Sequence, residues 1–162
     1  MDFSLSEEQR MLKDTVERLV RETYDFEKRQ KIAESEEGFS REVWGQFAEL
    51  GLLGVPFPEE FGGLGGGGID LMIVGEAIGQ GLVVEPYLAT VVLGGGLVEL
   101  LGSDAQKEEI LGAVVGGEKM LAFAHGEPDG RYETAHVRAT AEKVGGGWKL
   151  TGRKSVVLNG GE

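Results

Sequence analysis

Apolar residues recur at intervals of three and four through roughly the first two-thirds of the chain and at intervals of two near its end. This pattern predicts helices followed by strands. Ser6 with Gln9 is a capping-box pair, and Leu12, Val16, Leu19 and Val20 follow at helical spacing, predicting a first helix over residues 7–30. Ser40 suits the start of a second helix, whose face carries Val43, Phe47 and Leu50 with Trp44 beside them, and Gly51 marks its stop. The Val55-Pro56-Phe57-Pro58 run breaks the periodicity, and residues 59–68 read as a glycine-rich loop. A third helix shows Leu71, Val74 and Ile78, widened by Met72 and Ile73. A fourth starts near Glu85 or Pro86 and continues through Val91, Val92, Leu97 and Leu101. Its three central glycines, Gly94, Gly95 and Gly96, each cost up to about 1 kcal/mol relative to Ala, and signal either close helix packing or a break. Ser103 caps a fifth helix with Ile110, Leu111 and Val114, ended by Gly116 and Gly117. Beyond it Val137, Ala139 and Ala141 alternate with Arg138, Thr140 and Glu142. Gly145, Gly146 and Gly147 then lead to a second strand from Trp148, so the segment reads as a β-hairpin. The fold class is α+β: an all-α helical bundle over residues 1–117, then strands within 118–162.

Composition narrows the function. The chain has 162 residues, with 16 Lys and Arg against 28 Asp and Glu, for a net charge of -12. That balance repels phosphate backbones, so nucleic acid is not an expected partner. The chain has no cysteine, which excludes disulfides, thiolate catalysis and Cys-ligated metal centres. The N-terminus has no basic segment followed by an apolar run, and no stretch is long enough to span a membrane, so a cytoplasmic location is expected. The 28 glycines sit at segment boundaries and punctuate a folded chain.

Few side chains suggest chemistry by type alone. Gly63, Gly65 and Gly68 satisfy G-x-G-x-x-G, but no buried strand precedes them and no Lys-Ser or Lys-Thr follows, so a turn before a helix is the better reading. His125 and His136 are the only histidines, neither at ligand spacing from a second strong donor, and no metal site is expected.

Four stretches, in order, carry a resemblance: FSLSEEQRMLKDTVERLV, ELGLLGVPFPEEFGGLGGGGIDLMIVGEAIG, GSDAQKEEIL and WKLTGRKSVVLNGGE. Together with the Glu127-Pro128 turn they resemble the acyl-CoA dehydrogenase family. In flavour they are closest to small subunits of heteromeric members of the pimeloyl-CoA-dehydrogenase-like or steroid-degrading kind. The resemblance implies a helical domain leading into the first strands of a β-barrel-like middle domain, truncated relative to the family. It also implies FAD, an acyl-CoA substrate dehydrogenated at Cα and Cβ, electron-transfer flavoprotein or a similar acceptor, and a homo- or hetero-oligomer. Alternatives are a catalytically weak partner subunit and a helical module that binds acyl-CoA or protein. By position, the resemblance places Phe123, Ala124, His125, Gly126, Val156 and Leu158 at the flavin, and Tyr87, Thr90, Arg131 and Tyr132 at the substrate. The family's hydroxyl residue before Glu127 is Gly126 here, and its Trp-Ile-Thr is Val156-Val157-Leu158, which removes side-chain donors from the flavin face. The family base is a Glu of a C-terminal helical domain. No catalytic residue is therefore expected on this chain, Glu162 is not taken as the base, and the 162 residues alone are expected to be inactive. His125 has a second reading as a polar loop residue. Arg131 has one as a surface partner of Glu127 or Asp129, and Tyr87 and Thr90 have one as core.

Overall fold

The structure is a computed structural model that describes residues 4–161; Phe3, in the first matching stretch, and Glu162 lie outside the described residues. The chain divides into two compact units, Met1–Leu121 and Ala122–Glu162. In the first, α1 (Glu7–Thr23), α2 (Phe26–Ala33), α3 (Arg41–Glu49), α4 (Gly68–Gln80), α5 (Gly96–Leu101) and α6 (Asp104–Val115) follow one another. A π-helical stretch, Leu88–Gly95, runs directly into α5.

Hydroxyl and carboxylate caps set the helix starts. Ser6 Oγ accepts from the Gln9 amide at 3.1 Å while Gln9 Oε1 accepts from the Ser6 amide at 3.1 Å, which satisfies two amides that the helix leaves unpaired. Ser40 caps α3 through the Val43 amide at 3.3 Å, and Ser103 caps α6 through the Gln106 amide at 3.4 Å. The first predicted helix is in fact two. Asp25 accepts from the Lys28 amide at 2.7 Å and starts α2, and the buried Thr23 and Tyr24 end α1 just before it.

The core joins Val16 and Val20 of α1, Val43, Trp44 and Phe47 of α3, Ile73, Val74 and Ala77 of α4, and Leu111 and Val114 of α6, with Leu52, Leu53, Val55 and Phe57 between α3 and α4. Leu50 is exposed because α3 stops at Glu49 and turns it away from the predicted face. The glycines of the fourth predicted helix mark close approach. A Cβ on Gly94 would lie 2.5 Å from Leu121 Cβ, and one on Gly95 would strike the Phe57 ring. The helix passes through this point without a break, widened to the π form. Residues 118–121 stay with the helices: Trp44 Nε1 donates to Gly117 O at 3.2 Å, and the Thr90 hydroxyl bonds both backbone groups of Leu121.

In the second unit β1 (Thr140–Val144) and β2 (Gly147–Thr151) form an antiparallel hairpin with Ala141 opposite Leu150 and Lys143 opposite Trp148. Gly145 and Gly146, at φ 52 and 89, supply the two positive-φ positions that a tight hairpin turn requires. β1 begins only at Thr140, later than the alternation starts. The Arg138 and Ala139 amides do not enter the ladder and donate instead to the Glu127 carboxylate at 2.7 and 3.0 Å.

Candidate functional site

The turn at residues 123–127 carries most of the expected flavin contacts, and its geometry follows from where its carbonyls point. Lys154 Nζ donates to His125 O at 3.1 Å, and the Ser155 amide donates to Gly126 O at 2.9 Å. In a trans peptide the carbonyl and the next amide point in opposite directions. With both carbonyls drawn toward residues 154–155, the Gly126 and Glu127 amides point the other way. Among the described residues no hydrogen bond uses the amides of Ala124, Gly126 or Glu127. The turn thus presents unpaired donors, which suits a ligand edge rich in acceptor oxygens and nitrogens. The Phe123 and His125 rings lie 5.3 Å apart at its start.

Glu127 anchors the turn. Its carboxylate takes Lys154 Nζ at 2.9 Å as well as the two amides of residues 138 and 139, and its side chain is only 4% exposed. The groups that bond to the carboxylate provide most of this cover, and little other protein lies behind it. The Lys154 hydrogen bond, followed by the two amides, therefore outweighs desolvation and lowers the Glu127 pKa from 4.5 to about 2. Glu127 is thus an ionised structural anchor, unsuited to receiving a proton from a substrate near neutral pH.

The other expected residues are spread over both units. His125, Gly126, Arg131 and Tyr132 line one open hollow of about 290 Å³ in the second unit. Arg131 does not form the surface pair considered from the sequence, because Glu127 takes Lys154 and Asp129 takes Arg138 at 2.8 Å. It sits at φ 47 and is exposed, as is Tyr132. Val156 is 93% exposed at φ 53, an uncommon conformation for a β-branched residue, and Leu158 is half exposed on the same segment. In the helical unit Tyr87 is buried, its hydroxyl donating to Leu52 O at 3.0 Å and its ring edge-on to Phe47. Burial pushes its phenol pKa up, so it stays neutral. Thr90 is fully buried, and its hydroxyl accepts from Leu121 N at 3.1 Å and donates to Leu121 O at 3.2 Å. Both polar tips are committed to backbone. The glycine-rich loop spends its amides inwardly: Gly63, Gly65 and Gly66 donate to the carbonyls of Pro58, Phe57 and Val55.

Two polar residues escaped the sequence reading. Lys154 appeared only as part of a matching stretch, because its two partners lie 27 and 29 positions away and no periodicity connects them. Glu85 is 5% exposed, with Oε1 accepting from the Ser40 amide at 3.1 Å and Oε2 unpartnered, and desolvation raises its pKa. Its position next to Pro86 was legible only as a helix start. Among the described residues no group of three or more His, Cys, Asp or Glu is placed to hold a metal ion, and no helix is long and apolar enough to cross a membrane.

The family profile "Acyl-CoA dehydrogenase, N-terminal domain" matches residues 6–118. A mitochondrial isovaleryl-CoA dehydrogenase of Pongo abelii is 36% identical over 159 residues, covering 96% of this chain and 37% of that protein. Among solved structures, the ChsE4–ChsE5 complex of Mycobacterium tuberculosis superposes with a TM-score of 0.83 at 29% identity, over 97% of this chain and 42% of that one. An acyl-CoA dehydrogenase of Bacillus anthracis complexed with FAD does so with a TM-score of 0.84 at 26% identity, over 95% and 27%. The chain therefore spans about two-fifths of the length of the curated relative.

Proposed function

We propose, because this chain belongs to the acyl-CoA dehydrogenase family, that it forms the helical and flavin-facing part of an FAD-dependent enzyme that dehydrogenates an acyl-CoA thioester between Cα and Cβ. The observation that carries this reading is the turn at 123–127, with unpaired amides directed away from Lys154 and Ser155. Such a donor set fits the acceptor-rich pyrimidine edge of a flavin. Bound FAD would accept the hydride that leaves Cβ. The residues of this chain bind and orient: the Gly126 and Glu127 amides face the cofactor, and Val156 and Leu158 offer an aliphatic surface in place of an indole and a hydroxyl. His125, Arg131 and Tyr132 line the adjoining hollow, where the polar part of the substrate would lie. Tyr87 and Thr90 brace the helical unit itself, through Leu52 and Leu121. The base that removes the α-proton is not among these residues in this reading, since the acid nearest the turn, Glu127, is held ionised by three partners. The protein would act in the cytoplasm and pass electrons to an electron-transfer flavoprotein or similar acceptor.

The absence of a side-chain hydroxyl at Gly126 and Leu158 favours a second reading, in which the chain is the weakly flavin-binding partner of a heteromeric enzyme. Flavin content per chain in the assembled protein separates the two. One FAD per chain, with absorbance bleached by an acyl-CoA, supports the first reading; one FAD per two different chains supports the second. Acyl-CoA binding that needs no flavin in any assembly refutes both.

A further inference from the structure

We infer that Lys154 is a positioning residue that aims the Gly126 amide outward, acting with Glu127 as a clasp on the turn. The inference rests on the flavin reading above and adds to it the group that sets the donor direction.

One ammonium bridges two acceptors, the His125 carbonyl at 3.1 Å and the Glu127 carboxylate at 2.9 Å. These acceptors flank Gly126, so the two bonds grip the chain on either side of the residue without a side chain. Glycine has the widest freedom of any residue to rotate its peptide units. A turn with glycine at its centre holds its amide direction only if something else holds the adjoining carbonyls. Lys154 holds the peptide between His125 and Gly126, and the next residue's amide, Ser155 N, holds the peptide after it at 2.9 Å. The carboxylate half of the clasp is fixed from the other side by the Arg138 and Ala139 amides. Lys154 is itself largely covered, with a side chain 26% exposed. The turn is thereby tied to the residues leading into β1 and to those following β2, and its orientation does not depend on a bound ligand.

The geometry also predicts that a side chain at Gly126 would disturb the turn. Its φ is not positive, yet a Cβ there would sit 3.1 Å from the Ser155 carbonyl oxygen, close enough to push the two segments apart and loosen the bond between them.

The test uses the 162-residue chain labelled with ¹⁵N, unaltered and as Lys154→Met and Lys154→Arg, followed by amide exchange and by titration with FAD into the millimolar range. Lys154→Met is expected to speed exchange of the Ser155, Arg138 and Ala139 amides at least about tenfold, leaving the β1–β2 ladder unchanged, and to weaken FAD binding about tenfold. It is also expected to lose the FAD-induced shift of the Gly126 resonance, and Lys154→Arg should restore all three. Unchanged exchange in Lys154→Met, or an intact Gly126 shift at undiminished affinity, overturns the positioning role. Faster exchange throughout the hairpin as well shows a general loss of structure and also overturns it. If the unaltered chain shows no FAD-dependent shift at residues 123–127, the flavin reading fails, and the exchange results still decide whether the clasp holds the turn.

Discussion

The two units hold themselves together by opposite means. The helical unit buries a continuous set of large apolar side chains, from Val16 through Phe47 and Phe57 to Val114, and its polar groups mostly cap helix ends or brace the core. In the β unit every position of both strands is exposed, and the ties across it are polar, centred on Glu127 and Lys154. Burial of apolar area neither titrates nor is screened by ions, whereas charge-assisted bonds respond to pH and to ionic screening. The helical core and the turn at 123–127 are therefore expected to fail under different conditions.

The comparison is sharpest where the core is cut. Phe47→Ala removes a fully buried ring that touches Trp44 and Tyr87, and is expected to cost about 3–5 kcal/mol in denaturant unfolding followed by far-ultraviolet circular dichroism. Loss of helix signal without a change in the amide shifts of residues 138–155 would confirm that the units are stabilised separately. Acid should reverse the order. The Glu127 pKa is lowered on folding, so its contribution is complete above 4.5 and is lost as the pH falls from there to about 2. Protection of the Ser155 and Ala139 amides, relative to their intrinsic exchange rates at each pH, should therefore fall across that window before the helices melt. Helices melting first would remove the distinction. Thr90→Val strips two hydrogen bonds from the half-buried Leu121 backbone and should destabilise the helical unit by about 1–3 kcal/mol in the same denaturant assay. Ser103→Ala removes only an exposed cap of α6 and should cost about 1 kcal/mol.

How much of this was legible in the sequence follows the same division. Caps, helix faces and the hairpin turn depend on residues within a few positions of one another, so Ser6, Ser40, Ser103 and Gly145-Gly146 announced them correctly. The split between α1 and α2 was missed because the apolar spacing continues across it, and only Asp25, a strong cap in an otherwise helical run, marked it. The π-helical stretch was read as ordinary helix, since widening a helix leaves no trace in periodicity over so short a span. Resemblance drew attention to the turn at 123–127, but the bonds that orient it include those of Lys154, whose partners are close in space and remote in sequence. Glu127 was noticed as half of a motif and offered Arg131 as its partner. The bonds it makes come from residues 138–139 and from Lys154, two segments that no local pattern joins to it.

The hairpin carries a consequence for the chain as a solute. Ala141 and Leu150, with Lys143 and Trp148, share one face of a two-stranded sheet, and Trp148 and Leu150 are 68% and 78% exposed. Both strands are also edges, with unpaired backbone groups, and such edges adhere to one another unless charge keeps them apart. At neutral pH the net charge of -12 supplies that repulsion. As acid neutralises the carboxylates the repulsion fades while the indole face remains, so the colloidal stability of this chain should end before its helices do.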